Sequence, residues 1–139
     1  MREYATFPFN CPRCGNEITA HIRVAVRLDQ IDWASSMSCT KCGFAEEADG
    51  MAPSDEERSA VLRVNGEWVC SITSLGRSPL RVIRMLSEHL GKSPEEVKSF
   101  LPSVASGTRT EMTHLYEQAI AQGAEGNVLP ALKNPHRDQ

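Results

Sequence analysis

The chain has 139 residues, which is enough for one ordinary domain or two small ones. Its 15 basic and 18 acidic residues give a net charge of -3, so nucleic acid is not attracted in bulk and would need a local basic patch. No apolar run approaches the roughly 18 residues of a membrane span, and the first residues lack the apolar core of a signal peptide. We therefore expect a folded cytoplasmic protein without a membrane partner.

Four of the five cysteines form two Cys-x-x-Cys pairs, Cys11 with Cys14 and Cys39 with Cys42. In a reducing compartment such pairs indicate metal ligands rather than disulfides. A second pair, without a surrounding βαβ pattern, also argues against a redox motif. Four thiolates suit one structural zinc ion, and they leave no open position for hydrolytic chemistry. The same ligands suit iron, and the sequence does not choose between the two metals.

The segment between the pairs alternates between apolar and polar residues, which predicts a strand over residues 17–28. Its apolar face comprises Ile18, Ala20, Ile22, Val24, Val26 and Leu28. His21 falls on the polar face, so we interpret it as an exposed strand residue rather than a further ligand. With a second strand over 31–37, residues 1–47 are predicted to form a zinc ribbon.

Residues 48–66 are predicted to be a linker and a short helix. The acidic stretch 45–55 contains Gly50 and Pro53, which are typical of a linker. Ser54 and Glu57 have the spacing of a capping box, so a helix is expected from there to about residue 64.

Residues 67–130 are predicted to form an α+β domain of one strand, three helices and one strand. The strands fall at 67–73 and 127–129, and the helices at 79–89, from Pro94 and at 110–122. The first helix has a predicted buried stripe of Leu80, Ile83, Leu86 and Leu90. Cys70 is interpreted as a small core residue. The polar tail, 131–139, is expected to be frayed.

This second half resembles the C-terminal domain of the bacterial ribosomal stalk protein, which recruits translational GTPases. The residues that carry the resemblance are Gly76, Leu80, Val82, Ile83, Arg84, Gly91, Glu95, Glu96, Val97, Lys98, Gly107, Gly123 and Ala124. The resemblance covers residues 69–129 and leaves the ribbon unexplained. No stalk-type dimerisation region or hinge is visible, and Pro79 stands where the family often has lysine. The N-degron adaptor of bacterial Clp proteases is a weaker match.

The resemblance implies a partner-binding surface on the first two helices of this domain. The residues that fall there are Leu80, Arg81, Ile83, Arg84, Pro94, Glu96 and Lys98. Independently, Arg77, Arg81 and Arg84 are spaced by four and three residues and would share one face if the helical turn begins by Arg77. That face is either a basic docking patch or an ordinary solvated surface.

We therefore expect a non-enzymatic zinc-binding adaptor whose protein partner is a translational GTPase or another translation or transcription component. No catalytic pattern or small-molecule site is evident, since His89, His114 and His136 are scattered. The alternative is a nucleic-acid-binding zinc ribbon that regulates transcription or translation. The first 50 residues, however, carry five basic and seven acidic residues, a poor footprint for phosphates. The ribbon also fits a purely structural role.

Overall fold

The computed structural model describes residues 1–50 and 52–131, which divide into a first unit, Met1–Asn65, and a second unit from Gly66 onward. The described residues form seven strands, in two antiparallel sheets, and four helices. The expected α+β class is thus confirmed. In the described ranges no helix is both long enough and apolar enough to cross a membrane. Of the predicted tail, residues 132–139 lie outside the described residues.

The first unit is a four-stranded antiparallel meander with one helix. Its elements are β1 (Arg2–Asn10), β2 (Glu17–Arg27), β3 (Gln30–Ser38), β4 (Ala45–Asp49) and α1 (Asp55–Asn65). The strands lie in the order β1-β2-β3-β4. Leu28 belongs to the tight turn between β2 and β3 and is 93% exposed, so it does not continue the apolar face predicted for it.

The alternation of β2 places Ile22 and Val24 on one face of the sheet, where they form a core with Trp33. Helix α1 covers this face and buries Ala60 and Val61 in the same core. Its amphipathic spacing, rather than propensity alone, explains why the short helix is stable.

The stretch predicted as a linker is therefore partly structured. Residues 45–49 pair with β3 as an edge strand, and their acidic side chains are compatible with pairing because the backbone makes the bonds while the carboxylates face water. The helix begins where predicted: Glu57 N donates to Ser54 Oγ at 3.1 Å, and Ser54 N donates to Glu57 Oε1 at 2.9 Å. At its end, Asn65 Nδ2 donates to the carbonyl oxygen of Tyr4 at 2.9 Å, which ties α1 to β1.

The second unit is a three-stranded antiparallel sheet with three helices. Its elements are β5 (Trp68–Ser74), α2 (Pro79–Leu90), α3 (Pro94–Phe100), β6 (Ser103–Gly107), α4 (Arg109–Ala121) and β7 (Glu125–Pro130). The sheet order is β6-β5-β7. The predicted order of strand, three helices and strand lacked β6. This strand is short and rich in serine, alanine and glycine, so its own sequence gives little β signal and its pairing with β5 determines it.

Helix α2 buries a narrower stripe than the sequence predicts. Val82, Ile83 and Leu86 are buried, whereas Leu80 is 78% exposed. Gly91 ends the helix in the left-handed conformation that the C-terminal position requires. On α4, Ile120 is 41% exposed.

Candidate metal centre

The two cysteine pairs lie on two turns at the same end of the first unit's sheet. Cys11 and Cys14 occupy the turn between β1 and β2, and Cys39 and Cys42 occupy the turn between β3 and β4. Because β2 and β3 are antiparallel neighbours, the start of β2 lies beside the end of β3. The meander therefore brings the two turns together.

Both turns have the same backbone conformation. Gly15 N donates to the carbonyl oxygen of Cys11 at 2.8 Å, and Gly43 N donates to that of Cys39 at 2.9 Å. Both glycines have positive φ angles, 75° and 81°, which a side chain would strain. Each glycine thus allows the chain to turn back immediately after its second cysteine.

The four sulfur atoms form one compact cluster. The Sγ atoms of Cys11 and Cys42 are 3.6 Å apart, as are those of Cys14 and Cys39, and all four lie within 4.8 Å of one another. Four thiolates about 2.3 Å from a tetrahedral ion are about 3.8 Å apart. The predicted ligands are therefore brought together at a spacing that can hold a metal ion.

One side of the cluster is sealed by apolar side chains. Cys11 and Cys39 are buried, and they pack with Ile18 and with the partly buried rings of Phe9 and Phe44. Cys14, in contrast, is exposed. Four thiolates would fill the coordination sphere of a tetrahedral ion, as in structural sites.

The sulfurs differ in how readily they ionise. A backbone hydrogen bond from Cys42 is the main cause that lowers the pKa of Cys39 to about 6. Burial opposes ionisation of Cys11, but hydrogen bonds, the first of them from the Cys14 backbone, lower its pKa overall. A backbone bond from Phe44 favours the Cys42 thiolate, yet burial and the other three sulfurs outweigh it and raise the pKa of Cys42 to about 11. A cation would replace the protons that such a cluster retains at neutral pH.

Among the described residues, the others singled out from the sequence are not members of this cluster. Cys70 is buried in the core of the second unit, and burial raises its pKa to about 11. His21 is exposed on β2. The rings of His89 and His114 meet edge to face with centroids 6.4 Å apart, a pairing that only the packing of α2 against α4 creates. His136 lies outside the described residues.

Six of the seven predicted partner-binding residues are on the surface of α2 and α3. They are Leu80, Arg81, Arg84, Pro94, Glu96 and Lys98. Ile83, the seventh, is 3% exposed and belongs to the core, because it lies on the buried side of α2, which packs against α3 and α4. A partner surface on α2 therefore contains Leu80 and Arg84, one helical turn apart, but not Ile83.

Comparison of the chain with family models, with curated proteins and with solved structures finds no match. The likeness to the stalk domain consequently depends on the residues of the sequence that carry it.

Proposed function

We propose that this protein is a non-enzymatic adaptor in which one zinc ion stabilises the first unit and the second unit docks a protein partner. Zinc is the proposed metal because closed sites of four thiolates are typical of structural zinc. Reduced cysteines at such a site fit a cytoplasmic location.

The observation that carries the docking proposal is the exposure of Leu80. With 78% of its surface exposed, it projects from the first turn of α2 beside the exposed Arg81 and Arg84. On α3, Phe100 is a second large apolar residue, 41% exposed, two positions from Lys98. Apolar side chains rimmed by arginines are common where proteins bind one another.

This surface favours a partner with an apolar pocket bordered by carboxylates. Arg81 and Arg84 carry no acidic neighbour on the first turn of α2, whereas Lys98 Nζ lies 3.9 Å from Glu95 Oε1. Along α2 the two arginines outnumber one acidic residue, the exposed Glu88, so the helix surface has a net positive charge. The resemblance to the stalk domain supports a translational GTPase as the partner class.

The test is the binding of a purified translational GTPase to the immobilised chain after nuclease treatment. The double variant Leu80→Asp, Arg84→Glu changes two exposed residues and should fold normally while weakening binding by at least about tenfold. Ile120→Asp, a similar change on α4 of the same unit, should leave binding unchanged. Equal binding by wild type and the double variant would exclude this surface.

Nucleic-acid binding through the ribbon is the second candidate, and one observation favours it. Arg13 and Lys41 are exposed on the two cysteine turns, and the Arg13 guanidinium lies 5.6 Å from the ring centroid of Phe44. RNA binding at this end would weaken steeply with added salt and be lost in Arg13→Glu, Lys41→Glu. If RNA binding changed neither with added salt nor in this double variant, the ribbon would not be the binding site, and the adaptor function would be favoured.

A further inference from the structure

One face of the first unit's sheet is polar and is not covered by α1. Strand alternation places Tyr4, His21, Arg23, Ala34, Glu47 and Asp49 on this face, opposite to the core residues. A shallow depression of about 390 Å³ lies over it. Its floor is formed by small residues of β3, Ala34 and Ser36, so the side chains of β2 and β4 stand as walls on either side.

The two walls have opposite charge. The strand register aligns Arg23, Ala34 and Asp49 in one row across β2, β3 and β4. The next row aligns His21, Ser36 and Glu47. In the first row the guanidinium of Arg23 and the carboxylate of Asp49 are separated by a small residue of β3. In the second row the imidazole of His21 and the carboxylate of Glu47 are separated in the same way.

These opposite charges do not reach each other within one chain. Residues two strands apart are about 10 Å from one another along the sheet. In the ranges that the structure describes, no ion pair joins β2 to β4. Asp32 instead binds the basic wall, with Oδ2 at 3.1 Å from Arg23 Nη2 and 3.9 Å from Arg27 Nη1. One carboxylate between two guanidiniums holds Arg23 in place and leaves this wall with positive charge.

We propose that this face binds the same face of a second copy of the chain. A twofold axis parallel to β3 and lying between the two sheets would place Arg23 of each copy opposite Asp49 of the other. It would likewise place His21 opposite Glu47. Such a face is complementary to itself, and each contact occurs twice, as in isologous dimers. The small residues on β3 let the charged walls approach without a clash.

The size of the face sets the strength of the dimer. With the axis along β3, only β2, β3 and β4 of the two copies overlap. Three strands about 4.8 Å apart, overlapping over the five residues of β4, present an area of the order of 250 Å². This is about a third of what each partner contributes to a standard interface. We therefore expect a weak dimer, with a dissociation constant of the order of 10–100 μM at low salt, that weakens at least about tenfold at ~0.5 M salt.

Sedimentation equilibrium of the full chain tests this proposal. Glu47→Lys and His21→Glu should each weaken the dimer about tenfold or more, because each change acts twice in the symmetric pair. An equimolar mixture of these two variants should associate more tightly than either alone, since the introduced lysine meets the introduced glutamate. Glu46→Lys makes the same charge change on the opposite face of β4 and should leave the dissociation constant unchanged.

Metal content and Trp33 fluorescence establish that each variant retains the fold of the first unit. A wild-type chain that stays monomeric up to ~500 μM at low salt would overturn the proposal, as this exceeds the dissociation constant expected for so small an interface. Equal effects of Glu47→Lys and Glu46→Lys, or a mixture no tighter than its components, would overturn it as well. This inference does not depend on the proposed docking function of the second unit.

Discussion

The sulfur atoms of Cys11 and Cys42 lie 3.6 Å apart although 31 positions separate the two residues in the chain. They belong to different turns, and so do Cys14 and Cys39, which show the same separation. A metal ion bound by all four would therefore link the turn between β1 and β2 to the turn between β3 and β4. Its loss would free the end of the sheet farthest from the turn between β2 and β3.

Cys39→Ser should abolish metal binding and destabilise the first unit without affecting the second. Structural zinc contributes about 10–16 kcal/mol in small zinc-binding peptides, so we expect a loss of at least about 3 kcal/mol in a unit that also has an apolar core. Each unit contains one tryptophan, Trp33 or Trp68. Urea unfolding of single-tryptophan variants, made with Trp68→Phe or Trp33→Phe, therefore reports each unit separately.

Cys70→Ser is the matched control for this experiment, because it also removes a thiol but lies outside the cluster. It should retain the full metal content. A Cys39→Ser protein that keeps its metal, or a first unit whose stability does not change, would contradict the proposed site.

Metal retention should fall as the pH falls. The pKa of Cys39 is lowered to about 6, so its thiolate is present at neutral pH and is protonated as the pH drops through that value. The pKa of Cys42 is raised to about 11, so a metal ion must displace its proton at any pH below that value. One displaced proton makes the affinity fall about tenfold per pH unit. Chelator competition between about pH 5.5 and 8 measures this slope, and a flat profile would mean that the cysteines are not the ligands.

The cysteine cluster was predictable because its chemistry is local in sequence. Two residues between Cys11 and Cys14 suffice to aim both sulfurs at one point, and the glycine after each pair allows the turn. What brings the two pairs together is the register of β2 with β3, and the alternation of β2 indicated that strand. The edge strand β4, by contrast, was not predicted. Its residues are mostly acidic, and its pairing depends on the backbone of β3 rather than on its own side chains.

Gly76→Ala should strongly destabilise the second unit. Gly76 has a φ of 71°, and a Cβ there would collide with the carbonyl oxygen of Gly123. Since backbone atoms would have to shift, we expect a loss of about 2–4 kcal/mol. Gly91→Ala is the control: Gly91 also has a positive φ, but a Cβ there meets nothing within 4 Å, so a loss of only about 1 kcal/mol is expected. Urea unfolding monitored by the fluorescence of Trp68 measures both losses. Equal losses in the two variants would contradict this packing.

Leu86→Ala and Leu80→Ala should have very different effects although they lie on the same helix. Leu86 is fully buried, so its truncation should cost about 2–5 kcal/mol. Leu80 is 78% exposed, so its truncation should change stability by no more than about 0.5 kcal/mol. Thermal unfolding of the two variants measures the contrast, and comparable losses would place Leu80 in the core.

The position of Leu80 also shows that periodicity alone does not predict which residues of an apolar stripe are buried. The spacing of Leu80, Ile83, Leu86 and Leu90 fits one helix face, yet Leu80, in the first turn of α2, is exposed to solvent. Periodicity identifies the apolar face of a helix but not how far along the helix the neighbouring elements cover that face. Ile83, in contrast, is buried as the periodicity predicts, and only the resemblance to the stalk domain placed it on a partner-binding surface.

Cys70 should resist alkylation in the folded protein at about pH 8. Burial raises its pKa to about 11, so both access and the thiolate fraction are low. Removal of the metal should expose the cluster thiols, Cys14 above all, without exposing Cys70. Mass spectrometry after brief iodoacetamide treatment identifies the modified residues, and rapid modification of Cys70 would show that the second unit opens.

The metal content of the purified chain tests the central claim most directly. Protein expressed without a metal-binding tag and without added zinc should contain one zinc ion per chain by elemental analysis, and native mass spectrometry should show that ion lost on denaturation. A chain that contains no metal, or iron in place of zinc, would contradict the proposed zinc centre.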